Sequence, residues 1–127
     1  MNKKNVPFEF IFDYFIPIEI TIKPMFGMFG VYVINKVVLM LSHRKGQYHY
    51  NGIWVATRKK YHESLINEIP ALSKFQYMSG DSVDKSQWLY LSEDNANFEA
   101  GAIRVAELIR KGDMRIGRLV KPALRKK

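Results

Sequence analysis

Residues 25 to 32 read Met25-Phe26-Gly27-Met28-Phe29-Gly30-Val31-Tyr32, two glycines three apart in a run that is otherwise bulky and apolar. Glycine inside a strand loses more backbone entropy than other residues and offers no side chain to pack. Two of them among aromatics therefore mark a bulge, a sharp bend or a close approach of another backbone. The stretch reads as a shaped piece of sheet with an architectural role, and Met25, Phe26, Gly27, Phe29, Gly30 and Tyr32 form its structural motif. Val31 to Ile34, an Asn35-Lys36 turn and Val37 to Leu41 continue it as a β-meander. Upstream, Ile18, Ile20 and Ile22 alternate with Glu19, Thr21 and Lys23, a period of two that gives strand one a core face over residues 18–23.

Working outward, Pro7 to Ile16 carries Phe8, Ile11, Phe12 and Phe15 at helical spacing and is read as a short helix ended by Pro17, although Phe8, Phe10 and Phe12 also alternate as a strand would. His43 to Asn51 is a polar, aromatic loop, and Ile53 to Thr57 is a fourth apolar run. Thr57 is placed to cap a helix through Ile69, with Tyr61, Leu65 and Ile69 as its apolar seam and Pro70 as its stop. Ala71 to Met78 and Gln87 to Leu91 read as two strands able to pair across a Ser79-Gly80-Asp81 turn. Phe98, Ala102, Val105 and Ile109 share one helical face, and Lys111-Gly112 supplies a cationic last turn and a glycine stop.

The order strand, Met-Phe-Gly-x-aromatic-Gly-aliphatic-Tyr, turn, strand over Lys23 to Leu41 resembles the opening of the N-terminal domain of the TfoX/Sxy family. The resemblance implies an α+β, two-layer domain, an antiparallel sheet with helices packed on one face, similar to type III secretion chaperones. It implies a regulatory or protein-interaction role, and it carries over no catalytic residue. The ordered domain is expected to span residues 1–112, with 113–127 a basic tail ordered in part at most.

The chain has 127 residues, a length that fits one domain burying roughly two thirds of its unfolded surface. With 47% hydrophobic residues it has enough apolar side chains for a core, and with no cysteine it has neither disulfides nor thiol chemistry, which fits a reducing, cytoplasmic setting. No run is long and apolar enough to span a bilayer, so no membrane association is expected. The net charge of +8 is concentrated late: Arg104, Arg110, Lys111, Arg115, Arg118, Lys121, Arg125, Lys126 and Lys127 face only Glu107 and Asp113. Such a block attracts phosphate backbones, acidic lipid headgroups or an acidic partner, or simply solvates a tail.

Gly27-Met28-Phe29-Gly30 has the glycine spacing of the loop with which KH domains clamp nucleic acid. Those loops place basic or polar residues between the glycines and sit between helices, so a structural bend is the better account. His43 and His49 lack the further ligands of a zinc site, and His62-Glu63 is followed by Ile66 where a metal helix needs histidine. No serine stands in a glycine elbow, and Asp81, Asp84, Glu93 and Asp94 fall where acids end turns or cap helices. No cofactor and no metal are expected. The remaining lead is basic: Arg58, Lys59 and Lys60 near a helix start, and Arg110, Lys111, Arg115, Arg118 and Lys121 after the last helix, are candidate contacts for an anion or nucleic acid.

Three functions follow in order of preference. The first is a non-catalytic interaction domain contacting an unknown protein partner; the second is a weak nucleic-acid-binding module; the third is an enzyme. Self-association through an uncovered sheet surface is a further expectation, with Tyr48, Tyr50 and Trp54 as its candidate residues.

Overall fold

A computed structural model of the chain describes residues 6–45, 50–75 and 85–119. Among these residues seven strands form one antiparallel sheet: β1 (Thr21–Met25), β2 (Met28–Val33), β3 (Lys36–Ser42), β4 (Gly52–Ala56), β5 (Ser73–Lys74), β6 (Trp88–Ser92) and β7 (Arg118–Leu119). Their order is β1-β2-β3-β4-β6-β5, with β7 paired to the start of β3. The first four strands are the expected meander. After β4 the chain crosses over through a helix, forms β5, and returns so that β6 inserts between two strands made earlier. Helices on one face and a single antiparallel sheet make this a two-layer α+β fold.

Gly27 and Gly30 serve different purposes. Met25 pairs with Met28, so Phe26 and Gly27 are a two-residue hairpin loop with φ of 55° and 77°, positive at both positions as in a type I′ turn. That turn sets the register of β1, which runs over Thr21–Met25 and not from Ile18; Ile18, Ile20 and Ile22 still pack on the core as their alternation required. Gly30 lies inside β2, where the Tyr32 ring folds across it: a Cβ there would sit 2.9 Å from a Tyr32 ring carbon. The bulge itself lies one step on, because Val31 faces Leu39 while Tyr32 faces Val37, leaving Val38 as the extra residue. The next turn is Ile34-Asn35 rather than Asn35-Lys36, since Val33 pairs with Lys36.

The helical layer consists of a 3-10 helix (Glu9–Phe15), α1 (His62–Glu68) and α2 (Phe98–Arg110). The first buries Ile11 and Phe15. Phe8 and Phe10 meet Phe98 of α2 edge-on, with ring centroids 5.1 and 6.2 Å apart. Helix α1 is shorter than expected. Thr57 does not cap it, because its hydroxyl points inward and donates to the Arg115 carbonyl at 2.6 Å; a 3-10 turn, Lys59–Tyr61, intervenes. Pro70 confines Ile69 to an extended conformation and ends α1 where predicted. Helix α2 matches its periodicity and stops in a Schellman arrangement: Gly112 at φ 78° donates to the Ile109 carbonyl and Asp113 to that of Leu108. The expected pairing of the 71–78 and 87–91 runs is present as β5 against β6; Met78 and the Ser79-Gly80-Asp81 turn lie outside the described residues.

Both faces of the sheet are apolar. On the helix side Val31, Leu39, Leu41, Ile53, Val55, Leu89 and Leu91 pack under the helices. On the other side Met28, Tyr32, Val37, Met40, Trp54, Ala56, Phe75 and Tyr90 form a second layer. Its rings cover one another: Trp54 lies 4.9 Å from Phe75 and 5.8 Å from Trp88, and Tyr50 lies 5.0 Å from Phe75 and 5.3 Å from Tyr90. Trp54 is therefore only 3% exposed and serves as core, not as a free docking surface; Tyr48 lies outside the described residues.

Candidate interaction surface at the basic end of the sheet

β2 ends, β3 begins, β4 ends and β6 begins at the same end of the sheet. The segment after α2 returns to this end as well. Gly117 donates its N–H to the Ala56 carbonyl at 2.8 Å, Thr57 holds the Arg115 carbonyl, Ile116 is buried, and Arg118 and Leu119 pair with Val37 and Lys36. Residues 113–119 are thus built into the fold.

This return brings the two basic stretches, far apart in sequence, to one end. Arg58, Lys59 and Lys60 follow directly from β4 and are exposed, as are Arg110 and Lys111 at the end of α2. The structure adds Lys36, exposed at the first position of β3, which no sequence pattern singled out. Arg115 and Arg118 are committed internally. The Arg115 guanidinium pairs with Asp113 at 2.7 Å and Glu68 at 2.6 Å and donates to the Ser64 hydroxyl, while Glu68 also takes Arg104. Its hydrogen bonds hold both carboxyls below their ordinary range and push its own pKa up. The Arg118 guanidinium lies over the Trp88 ring, 4.9 Å from its centroid. Lys121 lies outside the described residues. Among the described residues the exposed acids at this end are Glu19, ahead of β1, Glu63, in the first turn of α1, and Glu68, which Arg104 and Arg115 engage.

Apolar side chains stand among these cations. Ile34, at the tip of the β2–β3 loop, is 88% exposed, and Leu119, paired with Lys36, is 71% exposed. Ile34 has φ 57°, a conformation that costs an L-residue about 1–2 kcal/mol and is unusual for a β-branched one.

Two other polar features are not part of this exposed surface. His62 is 4% exposed; burial, then Lys74, then Lys59 lower its pKa, and its Nε2 has no hydrogen-bond partner among the described residues. At the opposite end, Asn51 bonds Ser42 and the Arg44 backbone, its carbonyl accepts from the buried Tyr90 hydroxyl, and His43 pairs with Glu93 at 2.8 Å. A cleft of about 400 Å³ there is lined by Val6, Pro7, Gly27, Phe29, Leu41, His43 and Lys45. Among the described residues no three His, Asp or Glu side chains are grouped to hold a metal, and no helix is long and apolar enough to cross a membrane.

Comparison of the chain with protein-family models, with curated proteins and with solved structures gave no match.

Proposed function

We propose that this chain is a binding module, a non-catalytic interaction domain of the kind its resemblance to the TfoX/Sxy N-terminal domain implies, and that the basic end of its sheet is the contact surface. One observation carries this: the Gly117–Ala56 and Thr57–Arg115 hydrogen bonds gather six exposed cations (Lys36, Arg58, Lys59, Lys60, Arg110, Lys111) from three separate parts of the chain. Fields from cations that share one end add, and they attract an anionic partner from solution. The other large apolar layer is consumed as core and offers little to a partner.

A second reading, nucleic-acid binding, is favoured by the same convergence, with Arg115 and Arg118 removed from the expected contacts because carboxylates and an indole already engage them. If all six exposed cations met phosphates, the log–log salt slope would approach about −5.4 at roughly 0.9 per contact. The test is fluorescence anisotropy of the wild type and an Arg58→Gln/Lys59→Gln/Lys60→Gln variant against polyglutamate and a short DNA duplex over a salt series. Loss of binding in the variant supports the assignment of the surface, and a steep slope on the duplex alone selects the second reading. Equal binding by both proteins to both probes refutes the surface.

A further inference from the structure

We infer that the basic end docks on an anionic lipid surface, with Ile34 and Leu119 entering the interface between the cations. This rests on the basic end being the contact surface and names what it contacts. An expectation of no membrane association follows from the lack of a spanning segment, but docking on a bilayer surface requires none.

Three observations point to lipid. The first is where the aliphatic groups sit. Ile34 caps a two-residue loop that projects past the last pair of β2 and β3, and Leu119 lies on the strand next to Lys36. Both side chains are in water, at 88% and 71% exposure. The second is the backbone of Ile34. Positive φ suits glycine or asparagine, and strain kept at an exposed tip leads to a functional hypothesis for the side chain kept there. The third is the charge around them. A bilayer of acidic lipids offers phosphates to Lys36 and Arg58 to Lys60 and, just beneath, hydrocarbon to the aliphatic side chains.

A nucleic acid offers the first of these without the second. It would bring Ile34 and Leu119 against a polar backbone, and among the described residues this end has no open stacking platform, since Trp88 lies under Arg118 and the Lys60 ammonium is 5.2 Å from the half-buried Tyr61 ring.

The experiment is sedimentation of the full chain with phosphatidylcholine vesicles, with and without phosphatidylglycerol, and anisotropy on a short DNA duplex in parallel. The variants are Arg58→Gln/Lys59→Gln/Lys60→Gln and Ile34→Asn. Asparagine tolerates positive φ, so Ile34→Asn should unfold no earlier than the wild type, which separates a binding defect from a folding defect. Binding that requires phosphatidylglycerol is expected. The triple variant should lower the partition coefficient about a hundredfold, on the order of fivefold per cation. Ile34→Asn should lower it roughly tenfold, the worth of about two buried methylene groups, and leave duplex binding unchanged. If the triple variant loses vesicle binding and Ile34→Asn does not, the insertion is overturned and the basic contact surface stands. Binding to the duplex with none to acidic vesicles overturns the lipid assignment in favour of nucleic acid. If neither variant changes binding to any probe, both the inference and the proposed surface fall.

Discussion

Replacing Gly52 by alanine tests the packing at the junction of β3, β4 and β6. Gly52 pairs with Ser42 on one side and Ser92 on the other, at φ 141°. A Cβ built there lies 2.1 Å from the Leu91 carbonyl oxygen and 2.9 Å from the Glu93 nitrogen, both backbone atoms that cannot swing away. Gly52→Ala must therefore open the end of the β4–β6 ladder and disturb the Asn51 carbonyl, which accepts from Tyr90 and Glu93. Backbone strain of about 1–3 kcal/mol and one or two lost hydrogen bonds at about 1 kcal/mol each give a cost near 3–4 kcal/mol. That is a large share of the roughly 5–15 kcal/mol that holds a domain together. Gly112→Ala is the control, since Gly112 also has positive φ, 78°, but none of the described residues would come within 4 Å of a Cβ there. It should cost only the left-handed strain, about 1 kcal/mol. In urea titrations followed by tryptophan fluorescence, the midpoint should fall by about 2 M for Gly52→Ala and about 0.5 M for Gly112→Ala, for a slope of roughly 2 kcal/mol/M. Equal midpoints for the two variants would refute the contact with Leu91.

Two further outcomes follow from charged and titratable groups. His62 has a folded-state pKa below its unfolded value because burial, then Lys74 and Lys59, disfavour its charged form. The unfolded chain therefore takes up the proton first, and stability falls as pH drops below about 6.5 until the folded pKa is passed. His62→Gln should flatten that slope in thermal melts between neutral and mildly acidic pH, and an unchanged slope would exclude His62 as its source. Arg115→Ala should let the Asp113 and Glu68 carboxyls titrate back toward their ordinary range, visible by NMR, because hydrogen bonds from Arg115 are the largest cause of both depressions. The depressed pKa values stabilise the fold above the carboxylates' unfolded values, and that contribution is lost as pH falls through the folded ones. At neutral pH the variant should lose on the order of 1 kcal/mol, the partial exposure of these groups limiting the effect.

What could be read from the sequence was what short-range periodicity records. The 3.6-residue repeat of Phe98, Ala102, Val105 and Ile109 with Gly112 beyond it located α2, and the alternation of Ile18, Ile20 and Ile22 identified their core face. The Phe26-Gly27 turn was less visible, because phenylalanine is rarely found at positive φ and only the glycine signals it. The double-sided sheet did leave a signal, since Val37 to Leu41, Ile53 to Ala56 and Trp88 to Leu91 are continuous apolar runs without the alternation of a half-solvated strand. The basic end could not be assembled from spacing. Its charges were visible, but Thr57 reaches Arg115 and Arg115 reaches Glu68 across the long sequence separations of a tertiary fold. Nothing local distinguishes Ile116, which is buried, from its exposed neighbours, or Lys36 from any other exposed lysine.

The placement of β6 between β4 and β5 has a consequence for folding order. Until the chain has been read through Ser92, the backbone edge of Ile53-Trp54-Val55-Ala56 has no partner on that side, and β5 has none at all. An open apolar edge is a template for another chain. Any partly folded population lacking β6, whether during synthesis, after proteolysis or in a destabilised variant, should accumulate as aggregate before it accumulates as soluble unfolded chain.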